Sequence, residues 1–355
     1  MVKLWPSRDG RPELSDPRMS VSNEAPARGV GRAARLPELL LIVGTLVFAT
    51  LLSEIALRIS GQYRPNPYPP QCIRPGLVEA YEPYGYRLIP SRRTTYSYPQ
   101  DSPRTLSLIS NRDGFRASRE LDEPDARPRA LFLGDSFVFG DGVEESERFT
   151  NVLERLKPSW RIDNLGMVGY GPDLMLRSLE VVGLKLKPAA VVFCMYTDDF
   201  RRVRPEYAGT GFLIPRYKLE SGRLVSMPYP RPYFWDRLSI SVAANKILWN
   251  YTNWQWDLNQ AILDRFEQLA DRQPFQKAII FLPGTDDTRA DQERRSWLRQ
   301  YASRHATPFL DLSDAIHKMG KQVFIKDNPH LNPAGHQVLA RELDRFLSER
   351  VLASN

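Results

Sequence analysis

The stretch LFLGDSFVFGDG, residues 131–142, contains a candidate nucleophilic serine. The apolar run at residues 130–133 predicts a short β-strand, and Gly134 ends it where the chain must turn sharply. Ser136 then lies at the carboxyl end of a strand, which is where open α/β sheets bind ligands. A serine at such a junction is also a common helix N-cap, so Gly-Asp-Ser alone leaves both roles open.

A serine nucleophile needs a histidine base within hydrogen-bond reach and a group that orients this base. Two of the four histidines, His305 and His317, lie in charged patterns typical of the surface. The other two, His330 and His336, lie in the segment DNPHLNPAGH. Asp327 precedes His330 by three residues, close enough in a turn for its carboxylate to hold the imidazole. Asp-x-x-His alone also occurs in turns without catalysis.

Acyl transfer further needs hydrogen-bond donors for the oxyanion, such as backbone N–H groups. The segment NLGMVGYG, residues 164–171, follows the second predicted strand and offers Gly166, Gly169 and Gly171, where the backbone can approach a substrate closely. Their order is wrong for a dinucleotide-binding motif. No nearby cluster completes a metal-ligand set around the histidines, so we expect no metal site.

Strand and helix patterns alternate from about residue 128 onward, which is typical of parallel βαβ units. We therefore predict a three-layer α/β/α sandwich with a parallel five-stranded sheet. The predicted strands are ALFL (130–133), RIDNLG (161–166), AVVFCMY (190–196), KAIIFLP (277–283) and PFLDL (308–312).

The alternation lapses at residues 200–258, which we interpret as an insertion on the ligand side of the sheet. RYKLESGRLVSM within it predicts a hairpin that turns at Ser221-Gly222. Four tryptophans crowd this region, either to pack the insertion or to face a ligand or the membrane: Trp235, Trp249, Trp254 and Trp256.

Four segments at the ends of successive predicted strands occur in the order and at the approximate spacing of the sequence blocks of the SGNH (GDSL-type) hydrolases. They are GDSFVFGDGV, NLGMVGYGPD, YTDDF and DNPHLNPAGH, and the resemblance covers residues 128–355. NRDGFRASRE before the first block, together with an apolar segment near the amino terminus, resembles the membrane-anchored bacterial branch of that superfamily.

The resemblance implies a flavodoxin-like sandwich and a serine esterase mechanism without a cofactor. It makes Ser136 the nucleophile, His330 the general base and Asp327 the orienting partner. The backbone N–H groups of Ser136 and Gly169 would donate to the oxyanion, and Asp135 would tie the serine turn to the sheet. The G-x-S-x-G elbow of the α/β-hydrolases is absent.

The third block departs from the family pattern. The family has an asparagine there that donates to the oxyanion, and the alignment of YTDDF places Asp198 in that position. A carboxylate cannot donate unless it is protonated, and an ionised one about 3.5 Å away would repel the oxyanion by roughly 5 kcal/mol at an effective dielectric near 20. We expect Asp198 to be protonated in the working site, or the third donor to lie elsewhere, with Asn164 as a candidate.

The amino-terminal part predicts a membrane anchor. Residues 39–53 carry no charge, and the apolar pattern extends this segment to a helix at 36–59 that can span a bilayer. Residues 1–35 have the composition of a disordered tail, and their arginines favour a cytoplasmic location. The resulting topology is single-pass in the inner membrane, with the catalytic domain periplasmic or extracellular. Residues 60–127 read as a linker with short strands, and a cleaved signal peptide is the alternative for the apolar segment.

The composition narrows the class of partner. A net charge of +7 permits anionic partners, but no nucleic-acid-binding signature accompanies it. Cys72 and Cys194 are too few for a disulfide framework, and Cys194 reads as a free buried thiol. The resemblance to the SGNH hydrolases implies an ester-bearing substrate, such as a polysaccharide or a lipid, with acyl esters of envelope glycans, for example acetyl esters, as the candidate. The alternatives are an O-acyltransferase of the same fold and a non-catalytic glycan-binding or assembly protein.

Overall fold

The computed structural model describes residues 35–61, 76–99, 102–203, 216–227, 234–251 and 254–352. The predicted tail before residue 35, Cys72 and the greater part of the segment 60–75 lie outside these ranges. The chain divides into two units, Met1–Ser53 and Glu54–Asn355, and each is described by itself.

The helices and strands are numbered here in chain order. They are α1 (Arg35–Ser60), β1 (Val78–Tyr81), β2 (Gly85–Leu88), β3 (Arg93–Ser97), β4 (Thr105–Ile109), β5 (Arg129–Leu133), α2 (Ser136–Phe139), α3 (Phe149–Leu156), β6 (Arg161–Asn164), α4 (Pro172–Val181), β7 (Ala190–Tyr196), α5 (Asp199–Arg202), β8 (Tyr217–Glu220), β9 (Arg223–Ser226), α6 (Ser239–Tyr251), α7 (Trp254–Arg272), β10 (Gln276–Leu282), α8 (Arg289–Arg304), β11 (Phe309–Asp311), α9 (Ser313–Lys318) and α10 (Pro333–Arg350).

The helix α1 contains the predicted anchor. Leu36–Ser60, 25 residues, is long and apolar enough to cross a membrane, because at about 1.5 Å per residue it exceeds the roughly 30 Å of a hydrocarbon core. The large apolar side chains along it are exposed, among them Leu41 and Phe48. The helix is thus compatible with a single-pass membrane anchor.

The second unit begins with the last turns of α1. The Glu54 carboxylate accepts hydrogen bonds of 2.9 Å from the backbone N–H groups of Ser239 and Ile240, the first residues of α6. A negative charge at this position satisfies N–H groups that a helix leaves without an internal partner. Arg58 pairs with Glu54 and donates to the Arg237 carbonyl.

The central sheet has the order β11-β10-β7-β5-β6, and every neighbouring pair is parallel. Counted along the sheet strands alone, this is the 2-1-3-4-5 order of flavodoxin-like folds. The five predicted strands are therefore confirmed. The order reverses between β5 and β7, and ligands of such sheets bind at that reversal point.

Alternating side chains of the sheet face two hydrophobic clusters. Phe132, Val192 and Ile280 pack with α3 and α10 on one face, whereas Leu131 and Phe193 pack with α4, α7 and α8 on the other. Helices thus cover both faces, which confirms the three-layer sandwich. Cys194 is buried and free, as predicted.

Residues 76–127 form two antiparallel pairs, β1 with β2 and β3 with β4. Tyr84, Tyr86, Leu106 and Phe115 of this segment are buried in the same hydrophobic cluster as α4 and α7. The segment is therefore packed into the hydrophobic core beside the central sheet.

The insertion contains the predicted hairpin. β8 pairs with β9 in an antiparallel register, and the turn is made by Ser221 (φ 49°) and Gly222 (φ 76°). Positive φ at both central residues is the two-residue turn that matches strand twist. Trp256 is half-buried and packs on Phe200.

Candidate active site

Ser136 is the first residue of the short helix α2, directly after β5. The cap of this helix is Asp135, whose carboxylate accepts a hydrogen bond of 2.9 Å from the Phe137 N–H. The sequence allowed Ser136 to be either the helix cap or a nucleophile, and in the structure the capping residue is Asp135. The Ser136 hydroxyl is therefore available for chemistry.

Gly134 and Gly140 flank the serine turn, and the backbone at both positions favours glycine. A Cβ at Gly134 would overlap the side chain of Val138, so the close approach of strand and helix requires glycine. Gly140 ends α2 with φ 77°, a left-handed conformation that glycine adopts readily. The buried Arg116 fixes the chain beyond it by donating to the carbonyls of Gly140 (2.6 Å) and Val143 (2.7 Å).

His330 faces the nucleophile. Its Nε2 lies 2.7 Å from Ser136 Oγ, although the two residues are 194 positions apart in sequence. The imidazole is nearly buried and stacks on Phe137, with ring centroids 4.8 Å apart. The predicted serine and histidine are thus brought together at hydrogen-bond distance, which is the geometry required for a serine activated by a base.

The far side of the imidazole differs from the prediction. His330 Nδ1 lies 2.8 Å from Asn328 Oδ1 and 3.0 Å from the Tyr98 hydroxyl. Asn328 Nδ2 also donates to that hydroxyl at 3.3 Å. Asp327, the predicted partner, is exposed at a turn with φ 56° and is not among the described hydrogen-bond partners of the ring.

The predicted oxyanion turn lies against the serine turn, since the Met167 N–H donates to the Gly134 carbonyl at 3.1 Å. Gly169 has φ 81°, and the hydroxyl of Tyr86 holds the preceding Val168 carbonyl at 2.6 Å. Within the described part of the chain, the backbone N–H groups of Ser136 and Gly169 donate to no partner. Both are therefore available to a ligand.

Asp198 lies at the start of α5, and its carboxylate pairs with Arg201. Asn164, the alternative donor, is already occupied. Its amide nitrogen donates to the Val138 carbonyl (2.6 Å) and to Thr150 Oγ1 (3.0 Å), and its oxygen accepts from the Gly166 N–H (2.9 Å). Asn164 thus holds the serine turn and cannot serve as the third donor.

A buried charge cluster that the sequence analysis missed lies behind the serine. Arg202 Nη1 donates to Asp135 Oδ2 (2.7 Å), to Asp199 Oδ1 (2.5 Å) and to the Tyr170 carbonyl (3.1 Å). Burial, followed by repulsion from Asp135, raises the pKa of Asp199 well above its ordinary value. Burial alone would lower the pKa of Arg202, but Asp199 and Asp135 outweigh that effect and raise it. The guanidinium therefore stays charged.

A cleft of about 400 Å³ opens above Ser136 and His330. Tyr196 at its wall stacks on Phe137, with centroids 4.2 Å apart. Most of the other lining side chains carry hydroxyl groups or charges: Thr197, Asp198, Arg202, Thr285, Asp286, Thr288, Asp291 and Arg294. Among the described residues that line this cleft, none is Leu, Ile, Val or Met.

The remaining histidines are not among the described residues that line this cleft, although His317 contacts one of them, Gly284. His305 is 3.6 Å from Asp264, and His317 Nε2 contacts the Gly284 carbonyl at 2.9 Å. His336 is buried, and its Nδ1 accepts a hydrogen bond from the Phe149 N–H at 3.2 Å. None of the three contacts Ser136 among the described hydrogen bonds.

One protein-family model and several solved structures are similar to this chain. The model of the GDSL-like lipase/acylhydrolase family matches residues 132–338. A search of curated proteins gives no match.

Among solved structures, the chain is similar to the acetylxylan esterase Axe2 from Geobacillus stearothermophilus, with a TM-score of 0.42 and 14% identity over 64% of this chain and 97% of that one. It is also similar to the psychrotrophic esterase EstA from Pseudoalteromonas sp., with a TM-score of 0.41 and 13% identity over 62% of this chain and 97% of that one.

Proposed function

Since the chain belongs to the GDSL-like lipase/acylhydrolase family and is a hydrolase of ester bonds, we propose that Ser136 is its nucleophile and His330 its general base. The 2.7 Å contact between Ser136 Oγ and His330 Nε2 carries this proposal. As Oγ attacks the acyl carbonyl, Nε2 takes the hydroxyl proton and then delivers it to the leaving alkoxide. Water, activated by the same nitrogen, releases the acyl group from Ser136.

We further propose that the oxyanion accepts hydrogen bonds from the backbone N–H groups of Ser136 and Gly169. Their availability within the described residues supports these roles. Asn328 and Tyr98, which contact Nδ1, hold the imidazole with Nε2 directed at the serine. They take the orienting role that the family resemblance assigns to Asp327.

The proposed substrate is a short acyl ester, such as an acetyl ester, of a hydroxyl-rich alcohol. A long acyl chain would require an apolar channel, because burying apolar surface provides most of its binding free energy. The lining of the cleft instead offers hydroxyl groups, carboxylates and arginines, which suit the many hydroxyls of a glycan.

The proposed location is the bacterial envelope. In this proposal α1 anchors the chain in the inner membrane, and the arginines that precede it hold the amino terminus in the cytoplasm. The catalytic domain then faces the periplasm, where acetylated envelope glycans are accessible. An acyltransferase would use the same serine chemistry with a sugar hydroxyl in place of water.

The test uses the purified full chain with an aryl acetate. Ser136→Ala and His330→Ala should each lower kcat by at least about 10³-fold while leaving the thermal unfolding midpoint within a few degrees. His305→Ala, at the pair with Asp264, is the matched control and should retain activity. A fluorophosphonate probe should label Ser136. Full activity of Ser136→Ala would refute the proposal, and acetyl transfer to added oligosaccharide in preference to water would assign the transferase.

A further inference from the structure

The third strand end contributes no amide to the proposed oxyanion hole. Asp198, at the position of the family asparagine, is a carboxylate paired with Arg201, and its Oδ2 lies 3.9 Å from Arg202 Nε. The Asp198 carboxylate thus faces two guanidinium groups, and a carboxylate accepts hydrogen bonds and donates none. Asn164 is excluded because its amide is fully engaged. The site therefore has two backbone donors, and its third must be found elsewhere.

Arg202 contacts residues adjacent in sequence to both proposed backbone donors, Ser136 and Gly169, and it also approaches the third block. Its Nη1 donates to Asp135, which precedes Ser136, and to the carbonyl of Tyr170, which follows Gly169. Its Nε approaches Asp198 in the third block. The same oxygen of Asp135 that binds Nη1 also lies 3.4 Å from Ser136 Oγ. The guanidinium thus lies between the three blocks, and the Asp135 carboxylate connects it to the Ser136 hydroxyl.

The two terminal nitrogens of the Arg202 guanidinium differ in their hydrogen bonds. The described hydrogen bonds of Arg202 all use Nη1, and in the described part of the chain Nη2 has no partner. The side chain is 16% exposed and lines the cleft together with Ser136 and His330. Asp135 and Asp199 fix its orientation, so Nη2 is held in place before a substrate arrives. Such preorganised donors stabilise a developing charge without reorganisation.

We propose that Arg202 Nη2 donates to the oxyanion and replaces the amide that the third block lacks. This inference rests on the proposed esterase function. When Ser136 Oγ adds to the acyl carbonyl, the carbonyl oxygen becomes an alkoxide, and Nη2 donates a hydrogen bond to it without losing its proton. The charge of the guanidinium also offsets the repulsion between the oxyanion and the Asp198 carboxylate. Arg202 is then a catalytic residue.

The experiment removes the guanidinium and then restores an amide. Arg202→Gln is combined with Asp199→Asn, because loss of the cation alone would leave two buried carboxylates together, and Asp199→Asn alone is the reference. Relative to that reference, Arg202→Gln/Asp199→Asn should lower kcat for an aryl acetate by about 10²- to 10³-fold with KM little changed. Adding Asp198→Asn should recover at least a tenth of the lost rate, since it restores an amide at the third block.

The inference is overturned if Arg202→Gln/Asp199→Asn is folded and keeps the kcat of the reference. It is also overturned if kcat falls and Asp198→Asn recovers nothing, since Arg202 would then only hold the cluster together. Should that variant not fold, Arg202→Lys decides the matter. The lysine ammonium can pair with Asp135 and Asp199 but has no second terminal nitrogen to reach the oxyanion. A folded Arg202→Lys should therefore have a lower kcat, and full activity of this variant would overturn the inference. Full activity of Ser136→Ala would instead refute the esterase proposal itself.

Discussion

The hydroxyl of Tyr98 lies 3.0 Å from Nδ1 of His330, across 232 positions of sequence. Tyr98 follows β3, in the segment that precedes the region matched by the hydrolase family. The orientation of the proposed catalytic base therefore depends on a residue outside that region.

The contacts at Nδ1 predict a rank order of substitutions. Tyr98→Phe removes one hydrogen bond and should lower kcat about threefold to tenfold. Asn328→Ala removes the shorter contact and should lower kcat by at least tenfold. Asp327→Asn should have little effect, because Asp327 is exposed and is not among the described partners of the ring. Steady-state kinetics with an aryl acetate measures all three, and a larger loss for Asp327→Asn than for Asn328→Ala would return the orienting role to Asp327.

The buried position of His336 predicts that the folded chain loses stability in acid. Burial, followed by the charges of Arg148 and Arg116, lowers its pKa to about 3, against roughly 6.5 in an unfolded chain. Between these values the unfolded state binds more protons than the folded state, so the free energy of unfolding falls as pH falls, by about 1.4 kcal/mol per pH unit.

The His336→Asn variant tests this effect, because its side-chain oxygen can accept the Phe149 N–H in place of Nδ1 and does not titrate. Thermal unfolding midpoints of the full chain between pH 7 and pH 4 should fall more steeply for the wild type than for the variant. The carboxylates titrate in both proteins and cancel in the comparison. Parallel curves would show that His336 is not held neutral by the fold.

Gly134 predicts a steric effect on catalysis. Gly134→Ala places a Cβ against Val138, which should cost about 1–3 kcal/mol of stability and displace Ser136. A shift of about 1 Å at a nucleophile can cost about 10²-fold in rate. Gly284→Ala is the control, since its Cβ would meet no atom closer than 3.7 Å. Equal activity of the two variants would contradict the steric role of Gly134.

The helix α1 predicts membrane retention. The full chain, expressed in a bacterium, should remain with the membrane pellet after a carbonate wash, because Leu36–Ser60 is long and apolar enough to span a bilayer. Replacement of Leu40, Val43 and Val47 by aspartate should release the protein, since each charge at the centre of a spanning helix costs about 2.5 to 3.5 kcal/mol. Recovery of the unchanged chain in the soluble fraction would refute the anchor.

The elements predicted best are those set by local sequence. The strand pattern at residues 190–196 matches β7 residue for residue, because an apolar run of this length specifies a buried strand. The predicted strand at residues 161–166 instead ends at Asn164, which uses its side chain to bind the turn. Patterns therefore locate elements well and their ends less well.

The residues of the candidate site also differ in how well the sequence predicts them. Ser136, Gly169 and His330 follow from blocks of sequence, whereas Tyr98 carries no signal in its own neighbourhood, because its role exists only through a distant contact. Asn328 and Asp327 are adjacent, and the left-handed turn at Asp327 decides which of them faces the ring. The two aspartates and two arginines of YTDDFRR do carry a signal, since charges three or four positions apart on a helix attract.

Residues 76–127 place one side chain at each of three parts of the site: Tyr86 at the Gly169 turn, Arg116 behind the serine helix and Tyr98 at the imidazole. A polypeptide that starts at residue 128 would still encode Ser136, Gly169 and His330, yet all three supports would be missing. The smallest catalytically competent fragment of this chain should therefore start before β1. Boundaries drawn from the family match alone, at residues 132–338, would yield a hydrolase domain that contains its reactive groups without the means to align them.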